Sequence, residues 1–173
     1  MALTFAALDG NRHDRAGFTC GVPALDGYLR QQAGQHQRDG IATTHVLIDS
    51  AQPARILGYC ALSAAQLHLH DLRAQDRKRL PSYPVPAIRM GRLAVASAAQ
   101  GKGYGRILLG HAVNLALSVR QTIGVRVLIV DAKDARAAAF YEAHGFWPTA
   151  SAASTLYLPL GQPSPTHPQG ELP

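Results

Sequence analysis

Glycines at positions 101, 103 and 105 punctuate the run Gln100-Gly101-Lys102-Gly103-Tyr104-Gly105-Arg106, and an apolar-periodic segment follows at once. Glycines at a helix start let the backbone close around a ligand without obstruction by side chains. The helix adds N–H groups without intrahelical partners and the positive end of its dipole. That combination suits a phosphate-bearing cofactor. Gly-x-Gly alone is a weak pattern, and this run is neither a Walker loop, which needs Gly-Lys-Ser/Thr, nor a full dinucleotide fingerprint with its downstream ribose acid. The elements around it must decide.

A second chemically capable group is Phe140-Tyr141. A tyrosine hydroxyl with an ordinary pKa of about 10 stays protonated near neutrality and can donate to a developing anion. Adjacent residues on a helix diverge by about 100°, so one ring can enter the core while the other faces a cleft. The geometry alone leaves open which of the two rings takes the cleft, and a core Tyr141 is one of the outcomes. His68 and His70 alternate in a strand-like stretch, but no third ligand stands at a recognised spacing, so no metal site is assigned. Cys20 and Cys60 lie far apart without Cys-x-x-Cys spacing and read as reduced, partly buried thiols.

Several elements must position these groups. Leu108, Ala112, Leu115, Ala116 and Val119 recur on one face, predicting a helix from about Tyr104 to Val119. Val125 to Val130 is almost continuously β-branched or apolar, the pattern of a central strand covered on both faces. Asp134 can cap a helix through Phe140 and Tyr141, which Gly145 can end. Upstream, Pro23 starts a helix, and Thr43 to Ile48 and Arg55 to Ser63 read as a hairpin. Asp71 to Leu80 reads as a short charged helix. Pro81, Pro84 and Pro86 then force an extended run into a strand from Ile88 to Val95. Phe146 onward and Thr155 to Leu160 supply closing strands. The stretch 161–173, rich in proline, reads as a disordered tail after one domain of residues 1–160.

With both runs in their places, the sequence resembles the GNAT superfamily of N-acetyltransferases. The superfamily's cofactor loop, Gln/Arg-x-x-Gly-x-Gly/Ala, is matched by Gln100, Gly103 and Gly105. Its Ala-x-x-Phe-Tyr-Glu-x-x-Gly-Phe run is matched from Ala137 to Phe146. The resemblance extends from about Leu3 to Leu160. A narrower likeness is to the GNAT toxins of bacterial toxin–antitoxin pairs, carried by Phe18 to Leu29, Pro84 to Val95 and Leu156-Tyr157-Leu158-Pro159-Leu160. It implies an α/β GNAT fold, a mixed central sheet of about six to seven strands with flanking helices.

The resemblance implies acetyl-CoA as co-substrate and no metal. The backbone of Leu93, Ala94 and Val95 would pair with the pantetheine arm. Gln100, Gly101, Lys102, Gly103, Tyr104, Gly105 and Arg106 would wrap the pyrophosphate, although Lys102 and Arg106 side chains could equally be ordinary solvated surface. Tyr141 would protonate the departing thiolate. The toxins acetylate the α-amino group of aminoacyl-tRNA, block translation, and are neutralised by an antitoxin with a ribbon-helix-helix domain. A homodimer is the family expectation.

Given the active-site strand that the resemblance implies, residue chemistry bears on the substrate. No Asp or Glu occurs between Ile88 and Val95. A lysine ammonium of pKa about 10.4 would lack an evident helper there, whereas an α-amine of about 7.7 to 8.0 is already partly deprotonated at neutral pH. Arg89 and Arg92 on this strand, with Arg77, Lys78 and Arg79 upstream, could contact the phosphates of a tRNA acceptor end. A solvated helix face is the alternative for the Arg77 to Arg79 run. Seventeen Lys plus Arg against eleven Asp plus Glu give a formal charge of +6, which suits a polyanionic partner or simple solubility. The first nine residues have no basic n-region and meet Asp9 before any long apolar stretch, arguing against a secretory signal and for the cytoplasm, and the longest apolar runs stop well short of a bilayer span. Two other readings remain: an acetyltransferase of small amines or protein N-termini, and a binding module that has kept the fold and lost the chemistry.

Overall fold

The computed structural model describes residues 2–161 of the chain. The proline-rich tail expected over 161–173 lies, from Gln162 onward, outside the described residues.

The apolar runs become strands of one mixed sheet: β1 (Leu3–Ala7), β2 (Thr43–Asp49), β3 (Gly58–Leu67), β4 (Val85–Val95), β5 (Val127–Asp131), β6 (Trp147–Pro148) and β7 (Thr155–Pro159). They lie in the order β1-β2-β3-β4-β5-β7-β6. Neighbours are antiparallel except β4 and β5, which run parallel. The helices are α1 (Pro23–Gln31), α2 (Ala33–Arg38), α3 (Ala74–Arg77), α4 (Tyr104–Val119) and α5 (Ala135–Ala143).

β5 is interior as its composition predicts. Its alternation sends Leu128 and Val130 into the larger core, and Val127 and Ile129 into a smaller one with Leu67, Leu72, Val85, Ala87 and Tyr157. In α4, Tyr104, Leu108, Ala112 and Ala116 recur every fourth residue and are all buried, so one stripe packs across β3 and β4. Burying a side chain such as Leu108 contributes about 1.5–3 kcal/mol.

The structure adds one strand and corrects two expectations. β1, whose LTFAA sequence gives no clear alternation, adds a seventh strand by pairing with β2. The segment from Asp71 to Leu80 holds only the single turn of α3, because Lys78 turns extended and Arg79 is left-handed (φ 65°). His68 and His70 are not in a strand: His68 is the N-cap of a 3-10 turn over Leu69–Asp71 and His70 lies within it, their rings stacked 5.3 Å apart. What holds this stretch down is Asp76. Its carboxylate accepts from Arg73 Nε and from the Tyr157 hydroxyl, each at 2.6 Å.

Candidate active site

The decisive feature of the sheet is where β4 and β5 separate. Their parallel pairing runs from Ala87 with Val127 to Met90 with Val130 and stops there. On the other side, the β3 ladder slips at the same place: Ala61 faces Arg92 while Leu62 faces Met90, leaving Gly91 as the extra residue of a β-bulge. A bulge bends its strand and increases the local twist, so the second half of β4 leans away from β5. Ala96 N–H donates to Leu57 O, at 2.9 Å, on the β3 side. By the alternation along a strand, the main-chain groups of Leu93 and Val95 then point into the gap.

The gap is a cleft of about 430 Å³. β4 from Gly91 to Val95 forms one wall, Asp131, Lys133 and Asp134 another, and Phe140 and Tyr141 of α5 close it. Cys20 and Leu25 complete it from the amino-terminal side. That side is fixed by Asp26, buried in α1, whose carboxylate accepts from Cys20 N–H at 2.9 Å and from Thr19 Oγ1 at 3.2 Å. Burial, reinforced by the hydrogen bond to Asp26, pushes the Cys20 thiol up, so it stays protonated.

The glycine-rich loop joins the end of β4 to α4. Gly101 and Gly103 have φ of 81° and 82°, where a Cβ is strained, so their type is set by conformation. Gly103 is the N-cap of α4 and brings no side-chain cap, so the amides of Gly105 and Arg106 emerge on a second depression lined by Val95, Gln100, Gly103 and His144. Gln100 ties the loop down: its side-chain amide donates to Cys20 O and Val95 O, each at 3.0 Å.

Tyr141 lies at the bottom of the cleft. Expecting one of Phe140 and Tyr141 in the core and the other in the cleft divides them too sharply: both line the cleft, and Tyr141 is also the more buried, 4% exposed and packed on Phe146. Burial foremost, then the charge of Asp131 and the nearby Cys60, pushes its phenol above the ordinary value. It is therefore a proton donor throughout the neutral range.

Leu93, Ala94, Val95, Gln100, Gly105, Arg92 and Tyr141 meet in the cleft, and Gly101, Gly103, Tyr104 and Arg106 line the adjoining depression. Arg92 lies over the Tyr28 ring, 3.6 Å from its centroid. Arg89 reaches an outer basin that shares Gly91, Arg92 and Asp131 with the cleft. Three expected residues fall elsewhere. The Lys102 side chain faces a separate pocket with Asp49 and Arg55, Arg77 lies with His68, His70 and Tyr83, and Lys78 caps α3 beside it. Spacing along the sequence missed Asp131, Lys133 and Arg136, which reach the cleft only because β5 ends beside β4.

The model of the acetyltransferase (GNAT) domain matches residues 41–148, which include the glycine-rich loop, the diverging strands and Tyr141. The chain belongs to the GNAT acetyltransferase family. A tRNA-acetylating toxin of Mycobacterium tuberculosis is 34% identical to this GNAT domain over 128 residues, 74% of this chain and 75% of that one. The structure of AtaT complexed with acetyl-methionyl-tRNAfMet superposes with a TM-score of 0.85 at 28% identity, covering 91% of this chain and 95% of that one. A tyrosine-to-phenylalanine mutant of AtaT, bound to the C-terminus of the antitoxin AtaR and acetyl-CoA, gives 0.78 at 28% identity, covering 91% and 93%. Among the described residues, no helix of this GNAT protein is long and apolar enough to cross a membrane.

Proposed function

We propose that this chain is an acetyl-CoA-dependent N-acetyltransferase toxin that acetylates the α-amino group of aminoacyl-tRNA and so blocks translation. The observation that carries the reading is the bulge-opened gap between β4 and β5, with Tyr141 at its floor and the bare N-terminus of α4 at its end. Its support from outside the chain is the tRNA-acetylating toxin and the AtaT complexes to which the chain is similar.

The residues fit acetyl-CoA. Leu93 and Val95 offer main-chain groups that a pantetheine arm can pair with as if it were the next strand. The loop from Gln100 to Arg106 offers amides and a helix dipole to a pyrophosphate. Lys102, turned to the other face of the loop, adds only long-range charge. Bound acetyl-CoA supplies an activated acetyl group on a thiolate leaving group. Tyr141 supplies that thiolate with a proton as the carbon–sulfur bond breaks, and burial keeps the proton in place until then. A main-chain N–H on the second half of β4 polarises the carbonyl.

The domain spans residues 1–160. Arg92 and Arg89 rim the outer basin where an acceptor end would enter, and Arg77 and Lys78 would meet phosphates farther from the cleft. The partner is an antitoxin of the ribbon-helix-helix type, the toxin works as a homodimer, and both act in the cytoplasm. An acetyltransferase of small amines is the reading to beat. The discriminating experiment offers purified protein acetyl-CoA with charged or deacylated total tRNA and follows thiol release, then identifies the modified residue by mass. Release confined to charged tRNA is the expected result. Release that ignores tRNA and proceeds on free amines would overturn the reading.

A further inference from the structure

The cleft and the outer basin share four residues, Leu25, Gly91, Arg92 and Asp131. The passage between them is therefore bounded by a glycine and a carboxylate. Asp131 ends β5 just past Val130, the last residue paired with β4, and is itself paired with Thr155 of β7. Its two oxygens lie 2.6 and 2.7 Å from Arg89 Nη1, and Thr155 Oγ1 donates to Oδ1 at 3.4 Å. A Cβ at Gly91 would stand 3.9 Å from Asp131 Oδ2 and 4.0 Å from Arg89 Cδ. Any longer side chain there would roof the pair, whereas glycine leaves it open. Glycine inside a strand often marks a place where a ligand comes close.

The pair is reachable, with 34% of the Arg89 and 37% of the Asp131 side chain exposed. Arg89 uses one nitrogen, so the outward lone pairs of the carboxylate remain available. Asp131 and Tyr141 line the same cleft. The other ionisable side chains of the passage, Arg92, Lys133 and Arg136, are cations that repel an incoming ammonium, and Asp134 is occupied in capping α5 through Ala137 N–H at 2.8 Å.

Resting on the acetyltransferase reading above, we propose that Asp131 is the amine-receiving residue: it accepts a hydrogen bond from the substrate's α-amino group and takes the proton that nitrogen sheds as the bond to the acetyl carbon forms. The nitrogen lone pair makes the new C–N bond, which renders that nitrogen strongly acidic, and its proton passes to the carboxylate. The C–S bond breaks with its electron pair on sulfur, which takes the Tyr141 proton. Solvent then returns a proton to Tyr141 and removes one from Asp131, so one proton moves in net from nitrogen to sulfur. Arg89 acts as a positioning residue that fixes the carboxylate's orientation. The absence of an acid between Ile88 and Val95 is thus met from the neighbouring strand.

The test uses D131N and D131A in the full chain, with two readouts. In single turnover with saturating acetyl-CoA and charged tRNA, both variants should be slower by about a hundredfold, with acetyl-CoA affinity unchanged, and added formate should restore at least about tenfold to D131A. In binding without acetyl-CoA, wild type should prefer charged over deacylated tRNA by about tenfold, the scale of one charge-assisted hydrogen bond, and D131N should lose that preference. D131N turning over within about threefold of wild type, or keeping the preference for charged tRNA, would overturn the proposal. So would a D131A defect that formate leaves untouched. A wild-type protein that binds acetyl-CoA yet acetylates no charged tRNA would overturn the functional reading instead, and the wild-type control reads that separately.

Discussion

The two halves of β4 share one strand and do opposite things. From Ala87 to Met90 it is paired on both sides, and Ala87, Ile88 and Met90 are buried. From Gly91 to Val95 it is paired only with β3, and four of those five residues are partly exposed toward the cleft. The first half is bound by side-chain packing and two ladders, so its buried residues answer to stability, while Arg89 alone reaches out to Asp131. The second forgoes one ladder, and its main-chain groups on that side, apart from Val95 O, which accepts from Gln100, are those the proposed cofactor would meet. A single extra residue at Gly91 separates a strand packed on both edges from one that faces the cleft.

Breaking the chemistry of the open half should give the largest effect. Tyr141→Phe removes the proposed acid but keeps the ring, so kcat should fall by about 10²–10⁴-fold while acetyl-CoA affinity measured by calorimetry stays unchanged. An equal loss of cofactor affinity would show that Tyr141 builds the cleft rather than working in it. In the closed half the signature reverses. Ile129→Ala, in the smaller core beneath the paired strands, should cost about 2–5 kcal/mol in denaturant unfolding and leave kcat/KM of the folded protein unchanged. Gly103→Ala tests the loop between these extremes. Forcing a Cβ into φ 82° costs about 1–2 kcal/mol, to be read as roughly tenfold weaker acetyl-CoA binding.

The smallest effect belongs to a region remote from both halves. His45 and His111 are 2.9 Å apart between β2 and α4, and Phe5 of β1 stacks on His111 at 3.9 Å. Burial lowers both pKa values, and for His45 the neighbouring His111 adds to it. A histidine depressed in the folded state binds more protons when unfolded. Its stability contribution is complete above the unfolded value of about 6.5 and declines as pH falls below it. The melting temperature should therefore drop between pH 7 and 5, and His111→Phe should flatten that slope. A slope unchanged by the substitution would remove the pair from the account.

What the sequence disclosed follows from what is local. Helix α4, the capping of α5 by Asp134, its end at Gly145 (φ 92°) and the buried β5 are each set by neighbours a few residues away, and all are found. The glycine-rich loop and Tyr141 were legible for the same reason. β1 was not, because an edge strand of five residues takes its conformation from a partner 40 residues on. Nor was Asp131 as part of the site: 42 positions separate it from Arg89, and only the parallel pairing of β4 with β5 brings them together. The charged run from Arg77 reads as helix by composition, yet the left-handed Arg79 ends it after one turn.

The most direct test of the division within β4 is a titration of the isotopically labelled full chain with acetyl-CoA, followed amide by amide by NMR. The largest shifts should fall on Leu93, Val95, Gly103 and Gly105, with Ala87 to Met90 nearly silent. Shifts spread evenly along β4, or centred on the pocket around Arg77 and Tyr83, would contradict the claim that the separation at Gly91 makes the cofactor site.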